Sequence, residues 1–110
     1  MSRTEKKYLY DISESINTIF DDFLDGIDTF AQYKVDLKTQ AAVERMLMII
    51  GEAIYKLRRE GITLSYGDNI INRRNTLAHQ YDDYNPDTIW NSVHPELPGL
   101  KAEVDRLLAE

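Results

Sequence analysis

The sequence contains no cysteine, so disulfides, thiolate metal sites and cysteine nucleophiles are excluded from the start. That absence fits a cytosolic chain. Long apolar runs are also missing: the longest without a charge, Met46 to Ile50, is far too short to span a bilayer. The opening residues, MSRTEKKYLYDISESI, show no apolar core region or cleavage-like tail, so no signal peptide is visible and a cytoplasmic location is expected. Basic residues are outnumbered, 13 Lys and Arg against 19 Asp and Glu. The formal net charge of −6 argues against a protein that coats nucleic acid through a broad basic surface. Any nucleic-acid chemistry would have to sit at a local basic cleft. Glycine and proline are few and fall where helices would end, and no segment looks like a linker, a repeat or a low-complexity tract.

What is present is one domain, residues 1–110, with an apolar fraction of 43% that suits a single globular core. Its periodicity is helical throughout. Leu9, Ile12, Ile16, Ile19 and Phe23 step by three and four along a first helix. Asp25-Gly26 breaks the chain, and Ile27, Phe30 and Ala31 predict a short second helix. The longest segment, Leu37 to Glu60, carries the seam Val43, Leu47, Ile50, Ile54 and Leu57 and stops at Gly61. Asp68 or Asn69 is the expected cap of a fourth helix, and Asn85-Pro86 the expected start of a fifth. The fifth stripe (Trp90, Val93, Leu97, Leu100, Val104, Leu107) keeps phase through Pro95 and Pro98, as one kinked helix or two collinear ones would. The expectation is an all-α, antiparallel up-and-down four-helix bundle with one short additional helix.

The long helix has a second line opposite its seam: Ala42, Arg45, Ile49, Glu52 and Lys56, with Met48 beside it. Two readings account for it. Either the helix is central and touches neighbours on two sides, or Arg45, Met48, Ile49 and Glu52 form a homodimer seam in which Arg45 and Glu52 pair across a two-fold axis. Lys56, Arg58 and Arg59 crowd the same helix's last turn, where positive charge stabilises a helix C-terminus.

The densest polar chemistry lies in INRRNTLAHQYDDYNPDTIW, residues 71–90. Asn75 and His79 are four apart and share a helical face, so the amide can orient the imidazole. Arg74 and His79 are five apart, about 140° around the axis, so one helix makes a poor arginine–histidine site. Two copies facing each other make a better one. Arginine, histidine and an amide suit cleavage of RNA without a metal. The ribose 2′-hydroxyl attacks its own phosphate, histidine moves protons near neutrality, and arginine meets the charge on the phosphorane. A purely structural account also stands on spacing alone, with Arg74 paired to Asp82 or Asp83 and His79 capping the helix. His94, before Pro95, has no visible companion and is expected to be structural. The acidic run Asp21, Asp22, Asp25 and Asp28 is expected to be a solvated helix end, with no metal site.

RRNTLAHQY at 73–81 resembles the R-N-x-x-x-H-x-Y signature of HepT-type toxins of the HEPN superfamily. AAVERMLMIIGEAIYKL at 41–57 resembles that family's long central helix, and IWNSVHPELPGL at 89–100 its final helix. The resemblance covers nearly the whole chain. It implies a HEPN-like homodimer with its signature motifs in a shared cleft, acting as a metal-independent endoribonuclease toxin. Arg74 and His79 would be catalytic and Asn75 supporting. It also implies a neighbouring nucleotidyltransferase antitoxin of the MNT type that transfers AMP from ATP to Tyr81. The chain itself would need no cofactor; ATP and a divalent metal would belong to the transferase. Tyr84 is a rival acceptor, and Tyr81 could instead pack its ring against the core. The alternative function is a non-catalytic module that binds a nucleotidyltransferase and helps hold its nucleotide or substrate.

Overall fold

Helix α1 (Arg3–Asn17) starts at a reciprocal cap. The Ser2 hydroxyl accepts from the Glu5 N–H at 3.1 Å, and the Glu5 carboxylate accepts from the Ser2 N–H at 2.7 Å. Those bonds satisfy donors that the first turn leaves open. A computed structural model describes residues 1–72 and 86–110. Leu9, Ile12, Ile16 and Ile19 are buried, as their spacing predicts, and Phe23 is half-buried.

One feature was not expected. After Asn17 the helix widens into a π-helical segment, Thr18–Phe23, which ends where the Leu24 N–H reaches the Ile19 carbonyl at 2.8 Å. Gly26 then turns the chain at φ +80°, a conformation costly for any residue with a Cβ. Helix α2 (Phe30–Lys34) is capped by Thr29 and Gln32 in the same reciprocal way. Its buried residue is Tyr33; Ala31 is exposed and Ile27 lies before the helix.

Helix α3 (Leu37–Arg59) starts on Asp36, whose carboxylate accepts from the Thr39 N–H at 3.0 Å. Val43, Leu47, Ile50, Ile54 and Leu57 are all buried. The helix ends in a Schellman pair: Ile62 N–H to Leu57 at 2.9 Å and Gly61 N–H to Arg58 at 3.0 Å, with Gly61 at φ +90°. Helix α4 is helical from 67 to 72, where the described residues break off. Its first backbone bond joins the Ile70 N–H to the Tyr66 carbonyl, so neither Asp68 nor Asn69 is the cap. Asp68 sits in the first turn and pairs with Arg58 instead.

Helix α5 (Pro86–Ala109) runs unbroken through Pro95, Pro98 and Gly99, residues that therefore lie inside a helix rather than at its end. It buries Ile89, Ser92, Val93, Leu97, Leu100 and Val104, while Trp90 and Leu107 are half-buried.

α1 packs against both α3 and α5, and α2 touches α3 and α5. Lys56 in the last turn of α3 lies over the Tyr8 ring, so α3 ends beside the start of α1. Ser13 meets Asp105 while Phe20, further along, meets His94, further back on α5; α1 and α5 are antiparallel too. The result is an all-α helical bundle with one short extra helix, and there is no strand among the described residues. No described helix is long and apolar enough to cross a membrane.

Candidate functional site

Arg74, Asn75, His79, Tyr81 and Tyr84 lie outside the described residues. The chain entering that segment and the helix leaving it are described, and both are held firmly. On the entering side, Leu64 and Ile70 are buried. The Ser65 N–H and hydroxyl both donate to the Glu103 carboxylate of α5, at 2.9 Å each for the nearest oxygens. Tyr66 lies on Gly99 so closely that a Cβ there would come within 2.7 Å of its ring. Arg58 reaches Asp68 at 2.8 Å, and a Cβ on Gly67 would come within 2.9 Å of the same guanidinium. Two glycines on different helices thus permit the close docking of α4's first turn on α3 and α5.

On the leaving side, Trp90 anchors an aromatic cluster. Its ring lies 5.2 Å from Tyr33, 6.4 Å from Phe30 and 4.2 Å from His94, centre to centre. His94 therefore has the companions that its sequence neighbours did not reveal: Trp90, Phe20 at 5.9 Å, and the Trp90 carbonyl 3.0 Å from Nδ1. These contacts agree with a structural role.

The second line of α3 forms one wall of an open groove of about 320 Å³ against α1. Arg45 is exposed, while Met48, Ile49 and Glu52 are half-buried, and Lys7, Tyr8, Asp11 and Lys56 also line the groove. The Lys56 and Lys7 ammoniums stand 5.5 and 5.9 Å from the Tyr8 ring centre, within cation–π range. Lys7 also bonds Asp11 at 3.0 Å, and that bond raises its pKa above the usual lysine value. The groove carries both signs of charge along two turns of one helix.

A second polar cluster, Ser13, Lys101 and Asp105, has the composition of a serine–lysine nucleophile pair. Its geometry gives it another role. The Ser13 hydroxyl donates to Asp105 at 2.7 Å, and the Lys101 ammonium bonds the same carboxylate. The Lys101 bond chiefly, with help from Ser13 and against partial burial, holds the Asp105 carboxyl below its ordinary range. The hydroxyl and the ammonium are both turned onto the Asp105 carboxylate, and the cluster ties α1 to α5. Asp21, Asp22, Asp25 and Asp28 are exposed, as expected. Among the described residues no group of three His, Cys, Asp or Glu side chains is arranged to hold a metal.

A helical bundle whose sequence carries R-N-x-x-x-H-x-Y at 74–81 has the make-up of a HEPN-type ribonuclease. The ribonuclease HepT-like family matches residues 12–107, and the chain belongs to that family. A Thermococcus cleftensis protein called "Probable ribonuclease HepT" is 34% identical over 110 residues, covering 97% of this chain and 98% of its own length. Two Methanocaldococcus jannaschii proteins provisionally named RNases are each 32% identical. One aligns over 109 residues (96% of this chain, 88% of that protein), the other over 106 (94% and 95%). No solved structure matches the chain.

Proposed function

We propose that this protein is the toxin of a toxin–antitoxin pair, an endoribonuclease that cleaves RNA without a metal and is silenced by AMP transfer to Tyr81. Family membership across residues 12–107 is the observation that carries this reading. His79 takes the proton of the attacking 2′-hydroxyl or delivers one to the departing 5′-oxygen, and Asn75 holds its ring. Arg74 stabilises the charge on the phosphorane. Because DNA lacks the 2′-hydroxyl, the reaction is selective for RNA by its chemistry.

The working unit is a homodimer. Two copies of the α3 face meet across a two-fold axis, Arg45 against the partner's Glu52, with Met48 and Ile49 between them. That arrangement brings two signature segments into one cleft. The antitoxin is a nucleotidyltransferase of the MNT type, to which ATP and a divalent metal belong. The Tyr81 hydroxyl attacks the α-phosphate of ATP, pyrophosphate leaves, and the tyrosyl-AMP places bulk and negative charge two residues from His79.

The test is the intact mass of the protein after co-expression with the transferase, followed by peptide mapping. A gain of whole AMP units on Tyr81 supports the reading. An unmodified chain in a stable complex favours inhibition by binding and moves the alternative, a non-catalytic module that binds the transferase, close to the lead.

A further inference from the structure

Two helix ends of opposite polarity meet at one end of the bundle, and both carry positive charge. α3 finishes there with Lys56, Arg58 and Arg59, where cations complement the partial negative charge of a helix C-terminus. α1 starts there, since Tyr8 lies under Lys56, and its first five residues include Arg3, Lys6 and Lys7. A helix N-terminus is partially positive, so these three cations oppose the macrodipole. Helix stability accounts for the α3 cluster, and within α1 for Lys7 through its i,i+4 pair with Asp11, but not for Arg3 or Lys6.

Residues 3–7 and 56–60 together hold six cations and two carboxylates, Glu5 and Glu60; Lys7 is paired with Asp11 and Arg58 with Asp68, which leaves Arg3, Lys6, Lys56 and Arg59 to set the local field. Glu5 is engaged in the cap of α1. Arg3, Lys6, Lys7 and Arg59 are exposed. The opposite end carries Asp21, Asp22, Asp25 and Asp28, with no Lys or Arg between Thr18 and Tyr33. Lys6 and Asp21 are separated along the helix by about 22 Å, at roughly 1.5 Å per residue. That is nearly three Debye lengths of about 8 Å at physiological salt. An approaching polyanion therefore meets the local positive field, and the net charge of −6 is not what it feels.

We infer that the end of the bundle formed by Arg3 and Lys6 of α1 with Lys56 and Arg59 of α3 holds the phosphodiester backbone of the RNA substrate. The inference rests on the ribonuclease reading and adds the place where the substrate lies. The charge complementarity is direct, and lysine and arginine on flexible stems contact phosphates without reading sequence. The surface also adjoins the root of α4, through Arg58 and Asp68.

The experiment measures fluorescence anisotropy of a 5′-fluorescein single-stranded RNA across a salt series, in a His79→Ala background that leaves the RNA uncut. Lys6→Gln/Arg59→Gln is expected to weaken binding at least tenfold. It should also make the slope of log K against log salt shallower by about 1.4, at roughly 0.7 per phosphate contact on a single strand. Arg59→Gln alone should remove about 0.7. Lys34→Gln/Lys38→Gln, exposed at the far end, should change neither quantity. Unchanged binding by the Lys6/Arg59 variant, or an equal loss from the far-end variant, overturns the inference. So does a Lys6/Arg59 variant that keeps its RNA affinity and loses the transferase, which would assign the surface to a protein partner. If the wild type cuts RNA while the variant binds it normally, this inference alone falls. If the wild type neither cuts nor binds RNA, the ribonuclease reading falls with it.

Discussion

Gln40 of α3 donates its amide nitrogen to two backbone carbonyls at the end of α2, Tyr33 at 2.8 Å and Lys34 at 3.0 Å. A buried glutamine thus supplies the partners that a five-residue helix lacks at its C-terminus. Gln40→Leu should cost about 0.5–1.5 kcal/mol, the worth of ordinary hydrogen bonds, because the Tyr33 carbonyl keeps its bond from the Asp36 N–H and the Lys34 carbonyl is only partly buried. Urea unfolding measures it, and a midpoint equal to wild type would show that the two bonds contribute nothing.

The approach of Tyr66 to Gly99 predicts a second effect. A methyl at position 99 must displace the ring, so Gly99→Ala should destabilise by about 1 kcal/mol, at the mild end for overpacking because a ring edge can yield. In a Tyr66→Leu background the same substitution should cost much less. A double-mutant cycle reads the difference, and strict additivity would mean that the two residues do not meet.

Asp105 predicts a pH dependence. Its folded pKa is depressed, chiefly by Lys101, so its contribution to stability is complete above the unfolded value of about 3.9 and fades as pH falls through the lower folded value. Asp105→Asn should therefore be less stable than wild type at pH 7, with the gap closing below about pH 4. Unfolding midpoints at several pH values test the sign. A gap that widened in acid would contradict the assignment.

The dimer predicts a charge swap. Arg45→Glu sets two like charges together at the proposed seam and should weaken self-association at least tenfold, about 1.4 kcal/mol. Adding Glu52→Arg should restore it. Sedimentation equilibrium measures both, and a wild-type monomer at micromolar concentration would remove the premise.

The buried seams of α1, α3 and α5 were legible because they follow from one period and one core. Gly26 and Gly61 stop their elements with positive φ, as expected of glycine. Features that depend on partners distant in sequence were not legible. Ile19 and Phe23 keep helical spacing from Ile16, yet the backbone widens to a π-helix over Thr18–Phe23. Asp68 has the chemistry of a cap and is spent on Arg58 across the α3–α4 turn. Tyr33 is nearly as buried as any isoleucine because Trp90, far along the chain, lies on it. Half of the basic end, Lys56, Arg58 and Arg59, was legible as a charged helix end; the other half lies fifty residues away, and only the antiparallel packing of α1 on α3 joins them. The site was legible as a residue set and as a family signature at 73–81, a segment beyond the described residues.

The most direct test of the central claim is RNA cleavage by the purified protein in the presence of a metal chelator, with the product ends identified. Attack by the 2′-hydroxyl predicts 2′,3′-cyclic phosphate and 5′-hydroxyl ends, and a 2′-deoxy substitution at the cut site should block the reaction. His79→Ala should slow cleavage by about 10²–10⁴-fold, the usual contribution of a general acid–base group. Cleavage that requires a divalent metal and leaves 5′-phosphates, or a folded His79→Ala protein as active as wild type, would contradict the account.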